Sequence, residues 1–341
     1  MIQIDGSVGE GGGQVLRSAL TLSVVTGKGM RIVKIRKKRS SPGLRPQHLQ
    51  AVRAAAEVCG AELKGDSLGS EEIQFTPREI RSGRYHFSIP TAGSTSLVLQ
   101  TVFLPLTLAK RPSQVTIQGG THVKWSPCYH YLDWQWLFYM KRVGYKGEVS
   151  LTKAGYYPKG GGEIQAAIEP VKGGNPLQVV ERGKLIQIRG LSAVTNLPDH
   201  ITRRMRDRVV SRLGGHYPLN DIRIKEIQGH GQGAFIVLLV EFENSQACYF
   251  SLGERGKRAE VVADEVVDQV LAFLATDGCI DTYLGDQLLL PLALVSEPSQ
   301  LRVPEITAHL VTNAKIIQQF IPVEFEMDGD LGQPGIVIIN P

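Results

Sequence analysis

Three clusters of residues have types and spacings that suit phosphate chemistry. The first is Gly9-Glu10-Gly11-Gly12-Gly13-Gln14, with Val15, Leu16, Ala19, Leu20 and Val24 following at helical spacing. Glycines let the backbone approach a ligand, and a helix start presents N–H groups to an anion. The cluster is neither a Walker A loop nor GxGxxG, so alone it reads either as a phosphate cradle or as a tight turn. A carboxylate such as Glu10 beside bound phosphate needs a divalent cation between them, and Arg17 on the helix is within reach of the same place. The second cluster runs from Arg31 to Arg45 through Lys34, Arg36, Lys37, Lys38 and Arg39, and leads into Pro46-Gln47-His48. It is either a solvated charged loop or, stiffened by Pro42 and Pro46, a set of fixed arginines suited to bidentate phosphate contacts. No aromatic residue interrupts it, so base stacking is not indicated there. The third is a pair of C-terminal segments, Tyr283-Leu284-Gly285-Asp286-Gln287 and Thr307-Ala308-His309-Leu310-Val311-Thr312-Asn313. His309 falls beside the apolar stripe Ile306, Leu310, Ala314, Ile317, Ile321, where a histidine is either a hydrogen-bonded boundary residue or a catalyst.

Other chemistries lack their residues. The remaining histidines show no HExxH or Cys/His spacing, which argues against a zinc site, and there is no GxSxG elbow. The four cysteines are scattered, which predicts reduced thiols and a cytoplasmic protein. The N-terminus has no signal-peptide pattern. The most apolar stretch, Leu97 to Ala109, is too short to span a bilayer. A 42% hydrophobic and 21% charged composition excludes a disordered or fibrous chain. The net charge of +5 permits a polyanionic partner without requiring one.

These clusters must be positioned by regular elements, and the order of elements recurs. A strand at Ile2–Asp5, a helix after the glycines, a strand near 31–36, a helix opened by Pro46 and capped by Gly60, and a strand pair at Glu62–Lys64 and Ile73–Thr76 make one unit. A second begins at Tyr85–Ile89, with helices from Ser94 to Ala109 and from Tyr129 to Arg142. A third has helices at Thr282–Val295 and Pro304–Phe320, then strands at Val323–Glu326 and Ile336–Ile339. The period is roughly 80–90 residues before interruption. The interruption carries its own strands and the helices His200–Leu213 and Ala259–Leu274. We expect an α+β chain with a large domain over residues 1–183 and 279–341 and a smaller inserted α/β domain over 184–278. The basic run Arg203–Arg208 lies on an inserted helix, and its residues are expected to point around it into solvent.

Taken in order, Gly9–Arg17, Arg36-x-x-Arg39-x-x-Pro42-Gly43-Leu44-Arg45-Pro46-Gln47-His48-Leu49, Gly119-Gly120-Thr121, Tyr156–Gly162, Tyr283-Leu284-x-Asp286-Gln287 and His309-Leu310-x-Thr312-Asn313 resemble the RNA 3′-terminal phosphate cyclase family from end to end. The resemblance implies a large domain of three two-helix, four-stranded units and an inserted domain of thioredoxin-like arrangement. It implies ATP-dependent conversion of an RNA 3′-phosphate to a 2′,3′-cyclic phosphate with Mg²⁺ or Mn²⁺. By motif, His309 would become adenylylated and Glu10 would bind the metal. Arg17, Arg36, Arg39 and Gln47 would hold phosphates or the RNA end. Gln100 and the segment Tyr283, Leu284, Gly285, Asp286, Gln287 would bind ATP, with adenine between Tyr283 and Pro127. The expected partners are therefore RNA 3′-phosphate ends and ATP, with no membrane; the oligomeric state stays open.

This sequence departs from the family at two places. Lys37-Lys38 stands where small residues are common between the loop arginines, and Thr121–Pro127 differs from the more usual proline-rich segment. Both changes are expected to add cationic groups near the RNA path. The alternative is a non-catalytic, cyclase-like RNA-binding protein of ribosome assembly, a branch that lacks the nucleophilic histidine. The enolpyruvyl transferases share the repeated unit but not these motifs.

Overall fold

The computed structural model describes residues 1–9 and 11–341, and Glu10, the expected metal ligand, lies outside the described residues. The first sheet holds β1 (Ile2–Asp5), β2 (Met30–Val33), β3 (Glu62–Lys64) and β4 (Ile73–Thr76) in the order β1-β2-β4-β3. The β1–β2 pair is parallel and the other two pairs are antiparallel. Helices α1 (Gly13–Thr26) and α2 (Pro46–Cys59) connect it, and Gly60 ends α2 in the left-handed conformation. The second sheet has β5 (Arg84–Ser88), β6 (Ser113–Gly119), β7 (Gly147–Lys153) and β8 (Gly162–Ile168) in the order β5-β6-β8-β7, with the same parallel–antiparallel–antiparallel pairing. Its helices are α3 (Thr95–Thr107) and a composite of α4 (Tyr129–Tyr131), a π-helical turn at Leu132–Trp136, and α5 (Leu137–Val143).

Strand β9 (Gln178–Val179) precedes the interruption. There β10 (Leu185–Thr195), β11 (Leu219–Glu226), β12 (Gly233–Phe242) and β13 (Gln246–Leu252) form a sheet in the order β11-β10-β12-β13. Helices α6 (His200–Leu213) and α7 (Ala259–Leu274) pack on it and enclose a hydrophobic cluster separate from that of the rest of the chain. The chain then continues through α8 (Leu284–Leu292), β14 (Ser299–Val303), α9 (Ala308–Ile317), β15 (Glu324–Asp328) and β16 (Gly335–Asn340). Strand β14 pairs in parallel with β9 across the interruption, giving a fourth sheet of order β9-β14-β16-β15 with the pairing pattern of the first two. Helix α1 packs against α2, α3 and α9, and α8 packs against α9, so the glycine cluster and the C-terminal helices are brought to one place.

Two expectations change. The basic face of α6 does not simply meet solvent. Arg204 pairs with Glu260 at 2.8 Å and Arg208 with Asp264 at 2.8 Å on the neighbouring α7, because the two helices lie side by side. The C-terminal helices are shorter than 282–295 and 304–320: the buried carboxylate of Asp281 and the hydroxyl of Thr307 accept backbone N–H groups where α8 and α9 begin.

Candidate active site

Helix α1 starts without a side-chain cap. Its N-cap is Gly12, so the first N–H groups receive no capping side chain. Two glycines here are dictated by close approach. Gly9 has φ +61°, and a Cβ there would overlap the Thr312 hydroxyl of α9. A Cβ on Gly13 would collide with His48 Nε2 and the Arg17 guanidinium. The cluster is thus wedged between the last helix and the start of α2.

Above it opens a cavity of about 830 Å³. It is lined by Arg17, Arg36, Arg39, Gln47, Gln100, Pro127, Tyr283, Asp286, Gln287 and His309, among others. Leu284 and Gly285 do not line it: Leu284 is fully buried and Gly285 packs against Leu310 and Val303, because alternate residues of a helix start face opposite sides. Asp286 is the one carboxylate among the described lining residues, set against Arg17, Arg36, Arg39 and Lys124.

A chain of contacts fixes the imidazole. His309 is exposed to the cavity, and its Nδ1 lies 2.7 Å from Gln14 Oε1. The Gln14 amide donates its Nε2–H to the Asp286 carboxylate, which turns the amide oxygen toward the ring. An amide oxygen only accepts, so Nδ1 carries the proton and the lone pair of the neutral ring sits on Nε2. Asn313, one helical turn beyond His309, donates to the Asp286 carbonyl at 2.7 Å and accepts from Ser18 at 2.6 Å. Burial pushes the Asp286 carboxyl up to about 7, against the pull of Arg17. The half-buried Arg17 is lowered to about 10 by desolvation, with Asp286 opposing.

The basic loop holds its side chains by local bonds. Arg36 adopts φ +53° and donates through one guanidinium nitrogen to the Ser41 carbonyl at 2.6 Å and the Gly43 carbonyl at 3.0 Å. Gln47 accepts the Ser94 N–H at 2.7 Å, tying the start of α2 to the start of α3. His48 is driven down to about 3 by desolvation and by Arg17, Arg36 and Arg45, so it is neutral here. Gln100 donates to Gln287 Oε1 at 2.6 Å.

The expected extra cations are largely absorbed. His122 is 1% exposed and desolvation holds it well below its ordinary range, hence neutral. Lys37 pairs with Glu71 at 3.1 Å, Lys38 donates to the Gly9 carbonyl at 2.9 Å, and Lys124 pairs with Glu254 at 2.7 Å.

Sequence reasoning gave no role to Gln14, Asn313 or Asp281. Asp281 is fully buried and pushed up to about 6 by burial, with hydrogen bonds pulling the other way. It accepts from Tyr131 Oη at 2.7 Å, Gln135 Nε2 at 2.6 Å and the backbone N–H groups of Tyr283 and Leu284 at 3.0 Å. An aspartate three residues before the first helical residue, Leu284, was the available signal, since such a residue serves as a local cap.

A model of the RNA 3′-terminal phosphate cyclase family matches residues 8–327. The RNA 3′-terminal phosphate cyclase of Nostoc punctiforme is 44% identical over 330 residues, covering 94% of each chain. That of Methanopyrus kandleri is 40% identical over 348 residues, covering 100% of this chain and 99% of its own, and that of Salmonella enteritidis PT4 is 38% identical over 96% of both. A solved structure, the enolpyruvyl transferase NikO from Streptomyces tendae, aligns with 99% of this chain and 65% of its own at 10% identity and a TM-score of 0.27, too slight a likeness to argue from. On the family match and these identities, the chain belongs to the RNA 3′-terminal phosphate cyclase family.

Proposed function

We propose that this chain converts an RNA 3′-terminal phosphate to a 2′,3′-cyclic phosphodiester at the expense of ATP, through a covalent histidine–AMP adduct on His309. The observation that carries the reading is the Asp286–Gln14–His309 chain, which leaves the lone pair on Nε2 of an imidazole exposed to a cationic cavity. In this reading Nε2 attacks the α-phosphorus of ATP and pyrophosphate leaves. An oxygen of the RNA 3′-phosphate then takes the adenylyl group from the imidazole. The neighbouring 2′-hydroxyl attacks the 3′-phosphorus, gives up its proton and expels AMP, a step made favourable by proximity.

Arg17, Arg36, Arg39 and Gln47 would hold phosphates or the RNA end, and the uncapped start of α1 adds backbone donors for the same charge. Tyr283, Pro127, Gln100, Asp286 and Gln287 would form the ATP site. Leu284 and Gly285 would support it from behind. A Mg²⁺ or Mn²⁺ ion fits a site with few carboxylates, because such ions are commonly shared between one or two carboxylates and substrate phosphates. Glu10 would be the protein ligand, and the ion would supply charge neutralisation at the phosphates. We further read the first, second and fourth sheets, with their helices, as three copies of one unit over residues 1–183 and 279–341, and residues 184–278 as an inserted, thioredoxin-like domain. The first-second-fourth-third strand order that these three sheets share and the β10–β13 sheet lacks, together with the separate inner cluster, supports this. The four thiols are all buried and unpaired, which suits a reducing cytoplasm.

The test is incubation with ATP labelled at the α-phosphate. An acid-labile, alkali-stable adduct is expected on the unmodified protein and is lost, with cyclisation, in His309→Ala. Cyclisation at the normal rate by His309→Ala would overturn the assignment.

A further inference from the structure

Trp125 is 96% exposed, a large apolar surface left in water at the rim of the cavity. Its backbone is in the left-handed region, φ +62°, which costs an L residue energy and is unusual for an aromatic one. The loop is nevertheless well secured on both sides. His122 is buried against Tyr156 and Phe235, Lys124 is paired with Glu254 just after β13, Ser126 donates to the Val123 carbonyl, and Tyr129 N–H donates to the Thr121 carbonyl at 2.9 Å. Held from either side, the indole is presented outward and not folded onto the protein.

We propose that Trp125 is a stacking platform for an unpaired nucleobase at or next to the 3′-phosphate end of RNA. This rests on the RNA-end reading above. Arg36 and Arg39 line the same cavity as the indole, so cations suited to phosphate and an aromatic plane stand together, the combination that binds single-stranded nucleic acid. The adenine of ATP is a poorer occupant. Tyr283, half-exposed at 52%, belongs to the wall of the cavity, whereas an almost fully exposed rim residue is met by a ligand that extends out of it, as a polynucleotide must.

The experiment compares the unmodified protein, Trp125→Ala and Trp125→Phe on short 3′-phosphorylated RNAs, with and without abasic sites at the last two nucleotides. Trp125→Ala is expected to raise the KM for intact RNA about tenfold and Trp125→Phe much less. On RNA with both bases removed the three proteins should converge. The ATP concentration for half-maximal adduct formation should move less than about twofold in Trp125→Ala, since a single stack on RNA is all that is removed. Equal RNA KM values for Trp125→Ala and the parent, or a tenfold rise confined to ATP, would overturn the proposal. Indole fluorescence separates this from the parent reading. Quenching by intact but not abasic RNA, lost in Trp125→Phe, supports stacking even in a protein that forms no adduct, and its absence refutes stacking in one that does.

Discussion

An amide stands between Asp286 and His309, and its neutrality has a chemical use. A carboxylate in the place of Gln14 would favour a charged imidazolium, which has no lone pair for attack. Gln14 orients the ring without itself bringing a negative charge to it. We therefore expect Gln14→Ala to lower the rate of adduct formation at saturating ATP by about 10–100-fold with little change in the KM for ATP, the pattern of lost positioning and not of lost binding. Rapid-quench measurement of the labelled adduct checks this, and an unchanged rate would show that the tautomer is fixed otherwise. His309 and the loop arginines were singled out in the sequence through the family resemblance, and they line one cavity. Gln14 was visible only as the end of a glycine motif. Its partner lies 295 residues away, and nothing local reveals a bond of that separation. Leu284 and Gly285 were over-read for the converse reason: a motif is contiguous, but a helix shows a cavity only one of its faces.

At the level of elements, the π-helical turn at Leu132–Trp136 and the start of α8 are joined by one buried group. The turn lets Gln135 reach both Asp281 and the Gln246 carbonyl, while Trp136 lines the cavity and packs edge-on against Phe103. Such turns inside helices often accompany functional sites. Removing the carboxylate leaves the Tyr131 hydroxyl, the Gln135 amide and two N–H groups in competition for partners. Asp281→Ala should therefore destabilise the protein by about 3 kcal/mol. It should also loosen Tyr283 and raise the KM for ATP. Urea unfolding reads the first effect, and a loss below about 0.5 kcal/mol would mean that neighbouring groups satisfy one another. The alternation of apolar residues made many strands readable, but β8, β9, β11 and β14 were not read from it. In β11 only Ile222 is fully buried, Leu219 is half-buried and the other six residues are exposed, so it has no alternating signature and is held in place by its parallel pairing with β10. The π turn had no signal either, because its residues keep a helical composition.

On the scale of the molecule, the sheet of β10–β13 meets the rest of the chain at a pair of neutral histidines. His122 Nε2 lies 3.0 Å from His130 Nδ1, the Thr121 hydroxyl is 2.8 Å from the other His122 nitrogen, and both rings pack on Phe235 of β12. Desolvation lowers both, with Lys225 and Arg223 adding to the effect on His130, which is brought to about 3. In an opened junction these rings would take up protons below about pH 6.5, whereas in the closed one they do not, so the closed form loses stability as pH falls from 6.5 toward 3. Hydrogen exchange at the amides of residues 121–130, corrected for intrinsic rate, should show protection falling between pH 7 and 5 by up to about tenfold per pH unit for each ring. Amides of α1 away from the cavity are the control; equal behaviour in both places would rule out a junction held by uncharged rings. A mixed α+β chain, with which the helices and four-stranded sheets agree, was readable from the sequence. How the inserted part is seated was not, since it depends on ring stacking between segments more than 100 residues apart. The wedging of Gly9 under Thr312, with Gln14 against His309, has a consequence in time as well as space. If His309 is the nucleophile, the site is incomplete until α9 has been made, so a product that stops short of α9 would form no adduct.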